Sequence, residues 1–346
     1  MTKESDVTRR WKNRPEGSNW GEFGDDDQLG RLNLLTPEKV LEAVAEVKVG
    51  QVFSLSLPLD LPGGNVLNPA RHPPKLTATK RVDGKLVFLH SFEHDHNTTD
   101  VACDDMVTMS LQYSTQWDAL SHIGSHFDAD GDGKAEMVFY NGFRPEDHFS
   151  HPDHTADGSS KAHRLGIEHM AAHGIQGRAV MLDLRRHFGD ARRLVNYEDL
   201  KFVIEKDKID VRRGDMVCLH TGFADLILSM AGNPDAEKLA SSCAVLDGSD
   251  ERLRNWVDQC GLAALIADNY AVEHRPYDFH GDGCHALLPL HEHCLFKLGI
   301  HLGELWHLTE LANWLHKNGR HAFMLTAPPL YLPGAVGSPL NPIATV

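Results

Sequence analysis

The stretch AVMLDLRRHFGDARRLVNYEDLKFVIEKDKIDVRRGDMVCLHTGF, residues 179–223, consists of a short apolar run, a helix-like segment and a second short apolar run. The runs AVMLDL (179–184) and MVCLHTGF (216–223) have the length and composition of buried strands. Between them, YEDLKFVIEK (197–206) has the composition of an amphipathic helix. Short apolar strands that alternate with such helices indicate an α/β fold with a mixed sheet.

The same alternation continues on both sides of this stretch. LGIEHMAAHG (165–174) precedes it as a helix, and ERLRNWVDQCG (251–261) follows it as another. LAALIAD (262–268) is a further strand, and HEHCLFKLG (291–299) is a helix that ends at a glycine. The sequence contains no internal repeat and no clear domain boundary. We therefore predict a single α/β domain over residues 51–346.

The N-terminal 50 residues differ from this pattern. Residues 1–35 are polar and rich in Gly and Asp, and they carry Trp11, Trp20 and Phe23. Thr36 then provides an N-cap side chain and Pro37 the first helical position, which together predict a helix that reaches about Lys48. Residues 1–50 are thus predicted to form an N-terminal arm and capping helix, with the arm packed on the body or on a neighbouring subunit.

Composition excludes several classes of function. The formal net charge is −15 and no Lys/Arg run occurs, which argues against nucleic-acid binding. The N-terminus has no apolar signal region, and no stretch of about 18 apolar residues occurs, so secretion and membrane spanning are not expected. The six cysteines form no CxxC pair, which is typical of reduced thiols in the cytoplasm.

The segment QYSTQWDALSHIGSH, residues 112–126, is the strongest candidate for chemistry. His122, His126 and Asp128 fall within seven residues, and Asp118 lies four residues before His122. Imidazole and carboxylate ligands of this kind suit Zn, Mn or Fe(II) and leave coordination positions open for water. A polar loop with solvated histidines fits the same spacing, so the pattern alone leaves both interpretations open.

Two other patterns are weaker. The acids from Asp128 to Asp132 resemble a calcium loop, but Phe139 occupies the position where a bidentate glutamate is needed, so we reject an EF-hand. Near the C-terminus, a helix that begins near His291 could present this residue and Glu304 toward one region, although a surface helix with stray histidines fits the spacing better. Dinucleotide-binding, Walker and nucleophile-elbow motifs are absent from the sequence.

The chain resembles the cyclase family of metal-dependent hydrolases, which includes kynurenine formamidase and isatin hydrolase. The matching segments cover most of the chain: WGEFGDDDQLGRLNLLTPEKV (20–40), GIQGRAVMLDL (174–184), ADNYAVE (267–273) and LPLHEHCLFKLGIHLGELWHLTELA (288–312). Long-form members share the TQWDAL-H segment (115–122) and YNG (140–142). The resemblance implies an α/β fold with a mixed, barrel-like sheet and flanking helices, of the swivelling β/β/α type. It also implies a homo-oligomer, dimer or tetramer, in which the arm would suit contacts between subunits.

The family signature HxGTHxDxPxH can be aligned in two registers. In the first, Gln112 and Gln116 replace the two ligand histidines, Asp118 matches the metal-binding aspartate and His122 the catalytic histidine. In the second, the three ligands are His122, His126 and Asp128. We favour the first register because the TQWD segment matches around it, while His126 and Asp128 could supply what the glutamines do not. The resemblance further implies a distal ligand pair, with these best matches: His291, which competes with His293, and Glu304.

The function implied by the resemblance is hydrolysis of an amide, cyclic amide or lactone in a small molecule, with Mn or Zn as cofactor and His122 as proton relay. The predicted substrate contacts are Gln112, Gln116, Trp117, Tyr140 and Asp268. Two alternatives remain open: a catalytically silent small-molecule-binding protein on the same scaffold, and a metal-dependent lyase or dehydratase.

Overall fold

The computed structural model describes residues 9–93, 97–275 and 285–346. The strands in these ranges are β1 Val52–Ser54, β2 Lys75–Ala78, β3 His90–Ser91, β4 Val101–Ala102, β5 Asp105–Thr108, β6 Gln116–Asp118, β7 Ser125–Phe127, β8 Glu136–Val138, β9 Phe149–Ser150, β10 Lys161–Ala162, β11 Gln176–Asp183, β12 Arg193–Val195, β13 Met216–His220, β14 Ala244–Leu246, β15 Ala264–Ala267, β16 His301–Glu304, β17 Ala322–Thr326, β18 Gly337–Pro339 and β19 Ile343–Thr345.

The α-helices in the same ranges are α1 Pro37–Glu46, α2 Pro145–His148, α3 Ile167–His173, α4 Leu184–Phe188, α5 Tyr197–Asp207, α6 Phe223–Ser229, α7 Ala236–Ser241, α8 Glu251–Gln259, α9 Pro289–His291 and α10 Thr309–Lys317. Short 3-10 helices cover Gly30–Leu34, Tyr140–Gly142 and Pro152–His154, and a π-helix covers Glu292–Leu298. No helix in the described ranges is long and apolar enough to cross a membrane.

The main sheet has nine strands within the described residues, in the order β1-β19-β17-β11-β13-β15-β16-β6-β18, and it curls into a half-barrel. The four central strands from β11 to β16 are parallel. The strands on both sides of them pair antiparallel with their neighbours. The prediction of an α/β fold with a mixed, barrel-like sheet is confirmed.

The central strands are apolar throughout because both faces of the sheet are covered. All residues of β13 and β15 are buried, and they alternate between two separate clusters. Val217 and Leu219 face one cluster, whereas Met216 and Cys218 face the other. This two-residue alternation follows from the pleat of a strand, and burial of both faces explains why the runs lack polar residues.

The capping helix forms as its sequence predicts. Thr36 Oγ1 accepts a hydrogen bond from the backbone nitrogen of Lys39 at 3.4 Å, and Pro37 is the first helical residue. The helix ends at Glu46, slightly earlier than the predicted end near Lys48. A buried ion pair joins this helix to the sheet. The Lys39 ammonium group lies 3.2 Å from the buried carboxylate of Asp215, which directly precedes β13.

The arm packs against its own chain, which is one of the two placements that the sequence leaves open. Trp11 and Trp20 are only 5% and 1% exposed. The indole nitrogen of Trp20 donates to the backbone oxygen of Phe296 at 2.8 Å, and its ring packs edge-on against the Phe296 ring. Gly30 (φ +58°) contacts Gly299 so closely that a Cβ atom on Gly30 would overlap the Gly299 oxygen.

The arm also caps the end of the helical segment predicted over 291–299, most of which is the π-helix Glu292–Leu298. Asn19 donates from its backbone nitrogen to Lys297 O at 3.1 Å and from its side chain to Leu298 O at 2.9 Å. The last turn therefore directs its carbonyl groups toward the arm. The preceding single turn begins at Pro289, where the fixed φ of proline favours the start of a helix.

Candidate metal centre and active site

The site lies where β6 pairs with β16, at the carboxyl end of the parallel strands. Gln116 is directly opposite Glu304 in this antiparallel pair, so the two side chains share one face of the sheet. Asp118, two residues further along β6, lies on the same face. The carboxyl ends of parallel strands are where α/β proteins usually bind ligands, because the loops there diverge and leave a crevice.

Three acidic and imidazole side chains meet at this place. Asp118, His291 and Glu304 are all buried, and one potential ligand atom from each lies within 4.8 Å of the others. His291 Nε2 is 3.2 Å from Glu304 Oε1. Asp118 Oδ2 is buried and has no hydrogen-bond partner among the described residues. Two buried carboxylates, one with an unsatisfied oxygen, next to an imidazole form a donor set that fits a divalent cation.

A fourth buried acid, Glu273, holds the histidine in place. Its Oε1 atom accepts hydrogen bonds from the backbone nitrogen and from the ring Nδ1 of His291, both at 2.8 Å. Its Oε2 atom accepts from the backbone nitrogen of Leu290 at 2.9 Å. With Nδ1 occupied in this way, Nε2 is the ring atom that faces Glu304. The sequence pattern around Glu273 gave no sign that it is the partner of His291, 18 residues away.

The close packing of these charged groups shifts the pKa values of His291, Glu304 and Asp118. Burial lowers the pKa of His291, but hydrogen bonds and charges from Glu273 and Glu304 outweigh this effect and raise its pKa to about 10. Burial raises the pKa of Glu304, but the hydrogen bond from His291 holds this pKa below its usual value. Burial raises the pKa of Asp118 above its usual value, against the opposing charge of His122. In the protein alone, the His291 imidazolium therefore supplies the positive charge of the group.

His122 lies at the edge of the group and reaches solvent. Its Nε2 atom is 3.8 Å from Asp118 Oδ1, and 18% of its side chain is exposed. Its backbone nitrogen donates to Ala119 O at 2.9 Å, in the turn that follows β6. The spacing of four residues between Asp118 and His122 thus brings both side chains to one site, as the first register predicts.

Arg71 is a further residue near the group that the sequence did not indicate. Its guanidinium group donates to the backbone oxygen of Gln112 at 2.9 Å and lies 5.8 Å from the centre of the Tyr270 ring. Its positive charge lowers the pKa of both Asp118 and Glu304, as a secondary contribution to each. The loop that carries Arg71 has no metal-ligand or nucleophile pattern, so only its position in the fold identifies it.

Two cavities flank this region. One, of about 120 Å³, is bordered by Tyr270, Ala271 and Glu273 on one side and by Arg192 and Arg275 on another. A second, of about 10 Å³, lies between Arg71, Gln112 and Tyr113, and Tyr270 borders it as well. Tyr270 therefore borders both cavities, and its ring lies next to Arg71.

The family model named Cyclase matches residues 53–274, about 64% of the 346 residues. The chain belongs to the cyclase family. A crystal structure described as that of a novel cyclase is 32% identical, with a TM-score of 0.73, and the match covers 95% of this chain and 97% of that one.

Two more distant structures share the fold. Isatin hydrolase A from Labrenzia aggregata is 13% identical, with a TM-score of 0.54 over 89% of this chain and 98% of that one. Isatin hydrolase A from Ralstonia solanacearum is also 13% identical, with a TM-score of 0.52 over 85% of this chain and 91% of that one. No curated protein sequence matches the chain.

In this cyclase-family protein, His126 and Asp128 do not join the ligand group. His126 is exposed on β7, which forms a hairpin with β8. Asp128 lies instead with Asp130 and Glu136, and its oxygens accept from the backbone nitrogens of the hairpin turn at 3.0 and 3.1 Å. The hairpin carries both residues away from the sheet face that bears Asp118, so the structure does not bring the ligand set of the second register together around Asp118, His291 and Glu304.

The competing choice between His291 and His293 is also decided by geometry. His293 Nε2 contacts the backbone oxygen of Arg254 at 2.9 Å, on the opposite side of the helical segment from the ligand group. Burial lowers the pKa of His293 to about 4. Residues two positions apart in a helix point in different directions. Among the described histidines, only His291 contacts Glu304.

Three of the predicted substrate contacts, Trp117, Tyr140 and Asp268, bond to other parts of the fold. Trp117 faces the opposite side of β6, where its indole nitrogen donates to Ala327 O at 2.8 Å. The Tyr140 hydroxyl group contacts Asp27 of the arm at 3.5 Å. Asp268 accepts from the backbone nitrogens of Thr221 and Gly222 at 2.8 and 2.7 Å. These three residues are fully buried, and the contacts they make lie within the fold.

The two glutamines do lie at the site. An amide atom of Gln116 is 3.3 Å from Asp118 Oδ1 and 3.4 Å from Glu304 Oε2. Gln112 borders the smaller cavity, and its side-chain nitrogen is buried without a partner among the described residues. Their placement agrees with the first register, in which they occupy the positions of ligand histidines.

Proposed function

We propose that this protein is a metal-dependent hydrolase that cleaves an amide, cyclic amide or lactone bond in a small molecule. The observation that carries the proposal is the buried group of Asp118, His291 and Glu304 with a partly exposed imidazole, His122, at its edge. Membership of the cyclase family and a fold shared with structures named isatin hydrolase support a hydrolytic role.

The residues that would hold the ion are Asp118, His291 and Glu304. A divalent ion bound by them lowers the pKa of water and polarises the carbonyl group of a substrate. Both Mn and Zn are compatible with carboxylate and imidazole ligands. The three residues are almost fully buried, so their charges are weakly screened, and Glu273 keeps the His291 ring in one orientation.

His122 is the proposed proton relay. Its Nε2 atom accepts a proton from the attacking water as the new carbon–oxygen bond forms, and the imidazolium then protonates the leaving nitrogen or oxygen as the old bond breaks. Asp118, 3.8 Å away, stabilises the charged imidazolium between the two steps. Because the ring is partly exposed, its proton can also exchange with solvent after product release.

Arg71 is the proposed contact for the substrate's oxygens. The guanidinium group forms planar hydrogen-bond donors that match a carboxylate, the group which hydrolysis of an amide or lactone produces. It lies over Tyr270 at the boundary of the two cavities. We infer that the substrate enters along this boundary and that its reacting carbonyl group lies between Arg71 and His122.

The proposal is tested with protein purified without chelator. We expect stoichiometric Mn or Zn by elemental analysis, and turnover of at least one member of a panel of amides, cyclic amides and lactones. Substitution His122→Ala should lower kcat by a factor of about 10² to 10⁴ and leave the fold intact. The matched control is His126→Ala, which removes an exposed histidine from the neighbouring hairpin and should leave kcat unchanged.

Two outcomes would overturn the proposal in different ways. Absence of bound metal, with no activity after metal is added, indicates a catalytically silent small-molecule-binding protein. Turnover in water enriched in oxygen-18 without incorporation of the label into product indicates a lyase or dehydratase, because hydrolysis transfers the oxygen of water to the carbonyl carbon.

A further inference from the structure

We propose that the side-chain amide oxygen of Gln116 is itself a ligand of the ion, and that it shifts the centre toward Mn²⁺ relative to Zn²⁺. This inference rests on the metal centre of the proposed function and concerns an uncharged side chain that faces that centre. Gln116 is fully buried, begins β6 and lies directly opposite Glu304.

The hydrogen-bond network determines which way the amide group points. One of its two terminal atoms lies 2.6 Å from the backbone oxygen of Gln112 and 3.2 Å from the backbone oxygen of Ser114. Both neighbours are carbonyl groups, which can only accept hydrogen bonds. The other terminal atom also faces acceptors, the carboxylates of Asp118 and Glu304, but at the longer distances of 3.3 and 3.4 Å. The shorter pair of distances assigns the nitrogen to the position between the two carbonyl groups, where it donates to both.

The amide oxygen then faces the acidic group. It occupies the position that is 3.3 Å from Asp118 Oδ1 and 3.4 Å from Glu304 Oε2. Three oxygens that all act as acceptors thus face one another, and the side chains that carry them are at most 3% exposed. Such an arrangement is unfavourable unless a cation or a proton lies between the oxygens, because buried acceptors without a donor are costly.

The spacing suits a cation. Oxygen ligands that share an octahedral ion at about 2.1 Å lie roughly 3 Å apart, close to the separations around Gln116. The Gln116 and Glu304 side chains extend from paired positions of two strands, so the sheet itself sets their separation. The amino group of Gln116 is anchored by two backbone carbonyls, so the oxygen is held toward the ion without further ordering of the side chain.

The resulting ligand set is rich in oxygen. Gln116, Asp118 and Glu304 contribute oxygen atoms and His291 contributes one nitrogen. Oxygen donors suit Mn²⁺, whereas each additional imidazole favours Zn²⁺. An amide oxygen at position 116, where an imidazole would supply nitrogen, therefore raises the affinity for Mn²⁺ relative to Zn²⁺.

The test measures metal binding by the full-length protein after the metal has been removed. Dissociation constants for Mn²⁺ and Zn²⁺ are obtained by competition with a chromophoric chelator, for the wild type and for Gln116→Leu and Gln116→His. We expect Gln116→Leu to weaken Mn²⁺ binding by about 10- to 100-fold, the range seen when groups around a metal site are removed. We expect Gln116→His to lower the ratio of Mn²⁺ to Zn²⁺ affinity by about tenfold or more.

A spectroscopic readout makes the test independent of activity. Pulsed electron paramagnetic resonance of bound Mn²⁺ should detect one imidazole nitrogen in the wild type and two in Gln116→His. Gln176→His is the matched control, because Gln176 is at the opposite end of a strand in the same sheet and bonds to Thr326. This control should change neither the spectrum nor the affinities, and circular dichroism confirms that each variant is folded.

Unchanged affinities and spectra in both Gln116 variants would overturn the inference, because they would show that Gln116 is not a ligand of the ion. In that case the wild type still binds metal, and the proposed function stands. A wild type that binds neither Mn²⁺ nor Zn²⁺ would overturn the inference together with the proposed metal centre.

Discussion

Glu273 Oε1 accepts two hydrogen bonds from one residue, His291, through its backbone nitrogen and its ring Nδ1, each 2.8 Å long. The carboxylate therefore sets both the position of the main chain and the rotation of the imidazole ring. Because Glu273 follows β15 and His291 precedes the π-helix, this contact ties together two segments that are 18 residues apart in the sequence. The orientation of Nε2 toward Glu304 depends on it.

The first prediction concerns this contact. Glu273→Gln removes the charge and one acceptor, so the His291 ring loses its fixed orientation and metal affinity should fall by about 10- to 100-fold. The measurement is a competition titration of the demetallated protein. Glu292→Gln is the control, because Glu292 follows His291 directly but accepts from Ser125 Oγ at 2.7 Å instead. Equal affinities in the Glu273 variant and the wild type would contradict the role of Glu273.

A second prediction concerns Arg71. Arg71→Gln removes the positive charge near Asp118 and Glu304 and the donors offered to substrate, and we expect KM to rise by about tenfold or more, the usual range for loss of a charged hydrogen bond. Steady-state kinetics with the best substrate of the panel provide the measurement. The exposed Lys75 serves for comparison, and Lys75→Gln should leave KM unchanged. A normal KM in Arg71→Gln would exclude a substrate contact.

The third prediction concerns the buried ion cluster that joins the capping helix to the sheet. Asp215 accepts from the guanidinium group of Arg178 and from the ammonium group of Lys39. Asp215→Ala removes the fully buried carboxylate and leaves Lys39 and Arg178 only their partly exposed partners, Glu42 and Glu46. We expect this change to lower the free energy of unfolding by about 3–5 kcal/mol. Denaturation in urea measures the loss.

Glu42→Ala provides the comparison for this cluster. Glu42 also pairs with Lys39, at 3.0 Å, but 41% of its side chain is exposed. Its removal should cost less than about 1 kcal/mol, because solvent screens the pair. A similar loss of unfolding free energy in both variants would show that burial of Asp215 does not increase its contribution to stability.

A fourth prediction concerns pH. Burial, reinforced by His173 and His169, lowers the pKa of His301 to about 3, below its usual value of 6.5. The unfolded chain therefore binds a proton at His301 below pH 6.5 that the folded chain does not bind. The stability from the neutral ring is complete above pH 6.5 and is lost as the pH falls toward 3, at up to about 1.4 kcal/mol per pH unit.

Substitution His301→Leu should reduce the slope of unfolding free energy against pH by about one proton between pH 6 and 4. Urea denaturation at several pH values gives this slope. His151→Leu should leave the slope unchanged, because 62% of the His151 side chain is exposed. An identical slope in the wild type and the His301 variant would show that this ring is protonated in the folded protein.

Local patterns predicted much of the fold. The apolar runs of β11, β13 and β15 and the cap at Thr36 depend on neighbours within a few residues, which a sequence displays directly. The strand alternation of β6 could have assigned Trp117 to the core, although the family motif led to its prediction as a substrate contact. The two-residue period of a strand places it on the face opposite Gln116 and Asp118, toward the core.

The sequence by itself determined the α/β class and placed Asp118 and His122 together, because four residues separate them along one chain segment. Only the tertiary structure decided that His291, Glu304 and Glu273 complete the site while His126 and Asp128 do not. The physical reason is that strand pairing and loop paths over long separations set these distances. The segment 112–126 supplies one side of the centre, and the sheet brings the other side to it.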